Sequence, residues 1–312
     1  MILSVTMNPS VDISYHLPTL TADTVMRCQK YSKTAGGKGL NVARVLHQME
    51  QPVMCTGVLG GELGDFIRHQ LTQEAIDHQF SSIVQPTRNC IAILHDDGQQ
   101  TEILESGPEV SKSEIQQFKQ TFSQLAEPVS VITISGSLPL GTKPDLYIDL
   151  IKEAKNKGKK VILDTSGNTL QAVLNSPSVP YAIKPNLEEL QGLSGEEKLQ
   201  TTEEIKQLLT EHPLFSAIPL IVVSLGAEGA LAKYLDYFYK VEIPKIQVKN
   251  PVGSGDSTVA GLALSLAQGH PIQQTLKTAM TLGMLNAMEE RTGHVKKERF
   301  NELYAKIQIT DC

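Results

Sequence analysis

The chain has 312 residues, enough for one large domain with a small appendage. Its 40% hydrophobic and 20% charged residues fit a water-soluble globular protein, and a net charge of −6 with no basic block argues against a nucleic-acid partner. Four widely spaced cysteines with no C-x-x-C pair, and histidines with no H-x-x-x-H spacing, argue against a disulfide framework or a zinc site and fit a reducing cytoplasm.

The opening MILSVTMNPSVDI has no basic start followed by a long apolar core, so it reads as a strand and not a signal peptide. No uncharged apolar run approaches membrane-spanning length, and no membrane partner is expected. Nearly continuous apolar runs at 2–7, 52–60, 129–136, 160–166, 181–186 and 219–226 read as strands buried on both faces. Helical patterns fall between them at 38–49, 62–76, 112–125, 144–157 and 202–210, and the C-terminal part adds 256–268, 272–290 and 297–307. This alternation predicts an α/β, doubly wound, mostly parallel sheet flanked by helices.

Two segments break the rhythm. VDISYHL at 11–17 alternates, with Val11, Ile13, Tyr15 and Leu17 on one face and Asp12, Ser14 and His16 on the other. Residues 88–107 read as a hairpin around Asp97-Gly98. Neither leads into a crossover helix, so both are expected in a small antiparallel sheet formed by inserted segments at about 10–34 and 87–107. Such a sheet would cover the C-terminal edge of the main sheet, where open α/β folds bind ligands. The whole of 1–312 then forms one unit, with 193–204 a polar surface loop entering a helix.

Four stretches could carry chemistry. AGGKGLNVARVL (35–46) opens a helix with closely spaced glycines, Lys38 and Asn41; a ligand cradle and a plain strand-to-helix turn are both open. NPVGSGDSTVAGL (250–262) runs a glycine-rich turn into a helix whose buried face is Val259, Leu262, Ala263 and Leu266. Gly253 and Gly255 can point N–H groups into one anion-binding hollow, whereas Asp256 alone could be a first-turn carboxylate. In KPNLEEL (184–190), Asn186 and Glu189 share a helix face, as a capping pair or as oxygen donors to Mg²⁺. SLGAEGAL (224–231) follows an apolar strand and either seats a nucleotide or simply turns the chain. Asp164 in LDTSG reads as an ordinary turn aspartate, and Met280, Met284 and Met288 read as core.

Together and in this order, these stretches resemble the phosphofructokinase-B-type carbohydrate kinases, which have the ribokinase-like fold with a small β lid. GGKGLNVAR resembles the family's N-terminal signature, NPVGSGDSTVAGL its C-terminal one, KPNLEE its N-x-x-E element and SLGAEGA its nucleotide turn. TRNCIAIL, QQTEILESGPE and TLGMLNAMEERTG are most similar to the tagatose-6-phosphate kinase branch, with the 1-phosphofructokinase branch as the alternative. Two departures are Asn250-Pro251-Val252, where much of the family has Asp-Thr-Thr, and Val25, where some relatives carry a phosphate-clamping lysine.

The resemblance implies ATP and Mg²⁺ as cofactors and a small ketohexose phosphate as substrate, tagatose 6-phosphate or else fructose 1-phosphate. It implies Asp256 as catalytic base beside an anion hole of Gly253, Ser254 and Gly255, and Asn186 and Glu189 as organisers of Mg²⁺ and its waters. It assigns Lys184, Asn186, Ser224, Gly226, Gly229 and Asn286 to the nucleotide, and Asp12, Arg27, Gly37, Lys38, Asn41, Arg88 and Ser137 to the sugar phosphate. A homodimer through the apolar lid face is a further expectation. A non-catalytic sugar-phosphate sensor on the same scaffold would not need the retained Asp256. A dinucleotide-binding dehydrogenase is disfavoured because no G-x-G-x-x-G follows the first strand.

Overall fold

The computed structural model describes residues 1–96, 98–195, 199 and 201–312. The six expected apolar runs become β1 (Ile2–Thr6), β4 (Val53–Gly60), β8 (Val131–Ser135), β9 (Lys160–Asp164), β10 (Ala182–Ile183) and β11 (Leu220–Ser224) of one ten-stranded sheet, and β5 (Asp77–Ile83), β12 (Ala230–Tyr234), β13 (Tyr237–Glu242) and β14 (Gln308–Asp311) extend it at its two margins. Their order is β14-β13-β12-β11-β10-β9-β8-β1-β4-β5. The strands from β5 to β11 pair in parallel, and β12, β13 and β14 add an antiparallel margin.

The strands β2 (Ser10–His16), β3 (Lys30–Gly36), β6 (Arg88–His95) and β7 (Gln99–Leu104) form a separate sheet in the order β3-β2-β6-β7. Its two outer pairs are antiparallel, while the central β2–β6 pair is parallel. The reason is topological. β2 follows β1 and β6 follows β5, and those two core strands point the same way in the main sheet. The turn position Asp97 of the hairpin lies outside the described residues, as do 196–198 and 200 of the polar loop.

Helices cover both faces. Helices α1 (Lys38–Gln48), α2 (Gly61–Gln73), α9 (Ser254–Ala267), α10 (Ile272–Ala287) and α11 (Phe300–Tyr304) pack on one side. The other side carries α3 (Lys112–Leu125), α4 (Asp145–Asn156), α5 (Gly167–Leu174), α6 (Leu187–Ser194), α7 (Thr202–Glu211) and the single turn α8 (Pro213–Ser216). The strand alternation feeds the two cores separately: Ile2 joins one cluster and its neighbour Leu3 the other.

Two expectations are corrected. The helix expected over 297–307 is a 3-10 turn followed by the short α11, because Ile307 is buried as the chain enters β14. The buried face expected on α9 is instead most of its circumference: every residue from Asp256 to Ser265 is buried, since α9 lies between the sheet, α1 and α10. Gly261 makes the last contact possible, because a Cβ there would lie 2.5 Å from the Ala279 Cα.

The lid face also differs from its expected use. Val11 and Ile13 are buried in the main core with Ala35, Ile67 and Leu71, so half of that face is covered within one chain. Only the distal part stays open, as a groove of about 570 Å³ lined by Tyr15, Leu17, Met26, Cys28, Tyr31, Lys33 and Ile93.

Helix contact through backbone leaves no room to relax. We expect Gly261→Ala to destabilise the protein by about 1–3 kcal/mol in urea unfolding, as overpacking does; an unchanged midpoint would contradict the α9–α10 contact.

Candidate active site

The parallel strands end on one edge, and polar residues follow directly after each. Thr6 closes β1 and Asn8 follows it, Gly136 and Ser137 follow β8, Thr165 and Ser166 follow β9, and Lys184 and Asn186 follow β10. The chain returns from the lid along β3 and enters α1 at Gly37 and Lys38, on the same edge. A cavity of about 200 Å³ is lined there by Thr6, Asn8, Gly37, Lys38, Arg88, Gly136, Ser137, Thr165 and Ser166.

Asp256 sits in the first turn of α9 and is only 6% exposed. The Asn41 Nδ2 donates to its Oδ2 at 2.8 Å. Asp164, 5% exposed, lies close enough to act on it electrostatically, and the Lys38 Nζ reaches the Asp164 Oδ2 at 3.3 Å. Burial pushes the Asp256 carboxyl up to about 7 and the Asp164 charge adds to this, while Asn41, Lys38 and Lys184 oppose it. Burial pulls Lys38 down, but Asp164 and Asp256 outweigh that and hold its ammonium above the usual range.

The turn before α9 is built for an anion. Gly253 caps the helix with φ 83°, a left-handed conformation, and no side chain closes the terminus. The Ser254 N–H donates to the Pro251 carbonyl at 3.2 Å, and among the described residues no backbone carbonyl takes the N–H groups of Gly253, Gly255 or Asp256. Of the expected Gly253–Gly255 set, the Ser254 N–H is taken within the turn. Gly255 leaves space for Lys184, whose Nζ would be 3.2 Å from a Cβ there.

The lid contributes Asp12 and Arg88. Asp12 accepts a 2.6 Å hydrogen bond from Ser10, and burial raises its carboxyl, opposed by that bond and by Arg88 and Arg44. Its carboxylate lies over Gly36, where a Cβ would come within 2.0 Å of it. Arg88 donates to the Glu105 carbonyl at 2.7 Å and the Asn8 carbonyl at 3.1 Å, bridging lid and core. Ser137 receives the Asn8 Nδ2 at 3.2 Å, which leaves its own proton free to donate. Arg27 stands exposed in the β2–β3 connection and does not line the cavity.

On the nucleotide side, Asn186 and Ser224 form a parallel bridge, and Gly226 stands exposed with a left-handed φ of 60°. Gly229 is required by packing, since a Cβ would lie 2.0 Å from the Val241 carbonyl oxygen. Asn286 is fully buried: its Nδ2 donates to the Val252 carbonyl at 2.8 Å and its Oδ1 accepts the Gly293 N–H at 2.8 Å. It pins the turn before Gly253 from below.

Asn186 and Glu189 form a reciprocal capping box, with bonds of 2.7 and 2.9 Å. The capping reading is therefore realised. The second Glu189 oxygen takes no part in the box, and Lys38 feels the Glu189 charge across the site. Among the described residues no group of three or more His, Cys, Asp or Glu could hold a metal ion. These hard oxygen donors fit Mg²⁺ that arrives on phosphates and keeps most of its waters.

Sequence reasoning missed Asp164, Thr6, Asn8, Thr165 and Ser166. Their signal was present: each is polar and sits at the end of a buried parallel strand or just beyond it, the edge where such sheets bind ligands.

The model of the pfkB family carbohydrate kinases matches residues 5–298. The chain belongs to this family. It is an ATP-dependent sugar kinase. Similar structures include a Staphylococcus aureus protein provisionally assigned as a phosphofructokinase, at 28% identity and TM-score 0.85, covering 100% of this chain and 99% of that one. The tetrameric inhibited form of Escherichia coli phosphofructokinase-2 is 25% identical at TM-score 0.86, covering 97% and 98%. A Thermotoga maritima protein provisionally assigned as a 1-phosphofructokinase shares the fold at TM-score 0.87 and 21% identity, covering 100% and 99%. Among the described residues no helix of this kinase is long and apolar enough to cross a membrane.

The raised Asp256 carboxyl can be checked without turnover. We expect its ¹³C resonance in the free protein to titrate with a midpoint near 7, against about 4 for an ordinary aspartate. A midpoint at the ordinary value would overturn the account of its burial.

Proposed function

We propose that this kinase phosphorylates a ketohexose phosphate, with tagatose 6-phosphate as substrate and the 1,6-bisphosphate as product. The observation that carries the reading is the separation of two functions along one edge. A cavity with Arg88, Lys38 and Ser137 suits a phosphate already on the sugar, and the buried Asp256 lies under the anion hollow of α9. The sequence similarity of the TRNCIAIL, QQTEILESGPE and TLGMLNAMEERTG stretches supports the tagatose branch. The second reading, fructose 1-phosphate, keeps the chemistry and reverses the sugar in the cavity.

In this reading Asp256 takes the proton of the attacking hydroxyl, and Asn41 holds the carboxylate by its N–H. The N–H groups of Gly255 and Asp256 and the Lys184 ammonium stabilise charge on the moving phosphoryl group. Asp12 and Asn41 orient the sugar, Gly37 lets its ring approach the backbone, and Arg88 and Ser137 hold its phosphate, with Arg27 joining when the lid closes. Lys184, Asn186, Ser224, Gly226 and, behind the turn, Gly229 and Asn286 shape the nucleotide side. Asn186 and Glu189 would hold Mg²⁺ through water; bound there it would neutralise charge on the phosphates.

We read 1–312 as one kinase unit closed by the lid, in the cytoplasm, a placement supported by the free state of Cys28, Cys55, Cys90 and Cys312. We extend the reading to a homodimer through the distal lid groove. The tetrameric relative and the exposed Tyr31 support it; a monomeric mass by light scattering at working concentration would remove it.

One experiment tests the reading: ADP release with MgATP and tagatose 6-phosphate, fructose 1-phosphate, fructose 6-phosphate or fructose. We expect the highest kcat/KM on tagatose 6-phosphate; a maximum on fructose 1-phosphate selects the second reading. Because the base must be ionised, kcat/KM should fall as pH drops below about 7. Asp256→Asn should fold normally, lose about 10²–10⁴ in kcat, and lack that acid limb. A folded Asp256→Asn with wild-type turnover contradicts the assignment of the base.

A further inference from the structure

Arg44 is a buried cation that the sugar, the nucleotide and the anion hollow leave unused. It projects from α1 and is 6% exposed. Its three donor nitrogens reach three different parts of the structure. Nε donates to the Glu74 Oε2 at 2.8 Å, at the C-terminal end of α2. Nη2 donates to the Ala35 carbonyl at 2.8 Å, where β3 leaves the lid. Nη1 donates to the Asn41 Oδ1 at 3.2 Å, one helical turn back on α1. Asn41 in turn donates Nδ2 to Asp256 at 2.8 Å.

The consequence follows from the donor inventory. A guanidinium has no acceptor, so it can face only the oxygen of the Asn41 amide. That leaves the NH₂ end toward Asp256. An amide released from Arg44 could rotate by half a turn and present its oxygen to Asp256, which would favour the protonated carboxyl. We propose that Arg44 is a positioning residue that fixes which end of the Asn41 amide faces Asp256, and so keeps the carboxylate in its proton-accepting state. Glu74 anchors Arg44 from α2. The Ala35 carbonyl links the same cation to the root of the lid, and the Ala35 N–H is held by the Gln70 Oε1 at 2.7 Å.

The inference rests on the reading of Asp256 as base. The charged groups acting on Asp256 are Asp164, Lys38 and Lys184. Those around Arg44 are Glu74, Asp12 and His294, with the Cys55 thiol beside them. None of these except Glu74 is altered by the test.

The test compares Arg44→Met, Asn41→Ala, their double variant and Asp256→Asn, with MgATP and the best acceptor of the panel. Arg44→Met should lower kcat by about tenfold to a hundredfold, as misplacement of a catalytic group does. The acid limb should move up by about one pH unit, the direction expected when the ionised base loses a donor. In the Asn41→Ala background the same change should cost about twofold or less, because coupled residues are not additive. Undiminished loss in that background, or an unmoved acid limb, would mean that Arg44 acts through Ala35 or Asp12 and would overturn the proposal. Removing a buried cation can impair folding, so Arg44→Met/Glu74→Met serves as the second variant, since apolar replacement of both partners is often neutral for stability. If its Tm returns and kcat stays low, the positioning role stands; if kcat returns with Tm, Arg44 is structural only. Asp256→Asn separates the failures: retained turnover there removes the base itself, whereas an inactive Asp256→Asn with additive Arg44 effects removes only the role of Arg44.

Discussion

The placement of one carboxylate under a helix terminus constrains the rest of the structure. Asp256 is withdrawn from water in the first turn of α9, beside a second buried carboxylate, Asp164. Burial and like charge disfavour ionisation; Lys38, Lys184 and the Asn41 amide favour it. The balance leaves the group near neutrality of pH, where a proton acceptor is most useful. Three glycines in this region accommodate the crowding. Gly36 gives way to Asp12, Gly255 to Lys184, and Gly253 turns the chain so that α9 begins without a side-chain cap.

The lid is joined to this centre by polar contacts to backbone groups. Arg88 bridges the Glu105 and Asn8 carbonyls, and Asn8 also reaches the Ser106 carbonyl and the Ser137 hydroxyl. Arg44 and Gln70 hold the two backbone groups of Ala35 at the lid's root. Such contacts tie the root of the small sheet to the core, while its distal groove stays open. A closing sheet would exclude water from a reaction that otherwise loses phosphate to hydrolysis.

Several residues carry two readings that the structure separates. Asn186 and Glu189 are a capping box first, and any part in holding Mg²⁺ falls to the oxygens the box leaves over. Asn286, expected on the nucleotide, stabilises the turn before Gly253 with both ends of its amide. Asp164, read as an ordinary turn residue, is a buried partner of Lys38 and the largest charge acting against Asp256.

The amino-acid sequence by itself determined the alternation of buried strands and helices, the two glycine-rich helix starts and the presence of an inserted sheet. These depend on neighbours along the chain, through periodicity of side chains and freedom of the backbone. The acidic position Asp256 was legible because its glycines precede it directly. What only the tertiary structure decided was which polar groups meet. Asp164 from β9, Lys38 and Asn41 from α1 and Asp256 from α9 come together across more than 200 positions of chain. Arg44 lies three residues from Asn41, yet its role appears only when Glu74 and Ala35 close around it. Pairing, burial and ionisation fall off steeply with distance in space, and spacing along the sequence does not encode that distance.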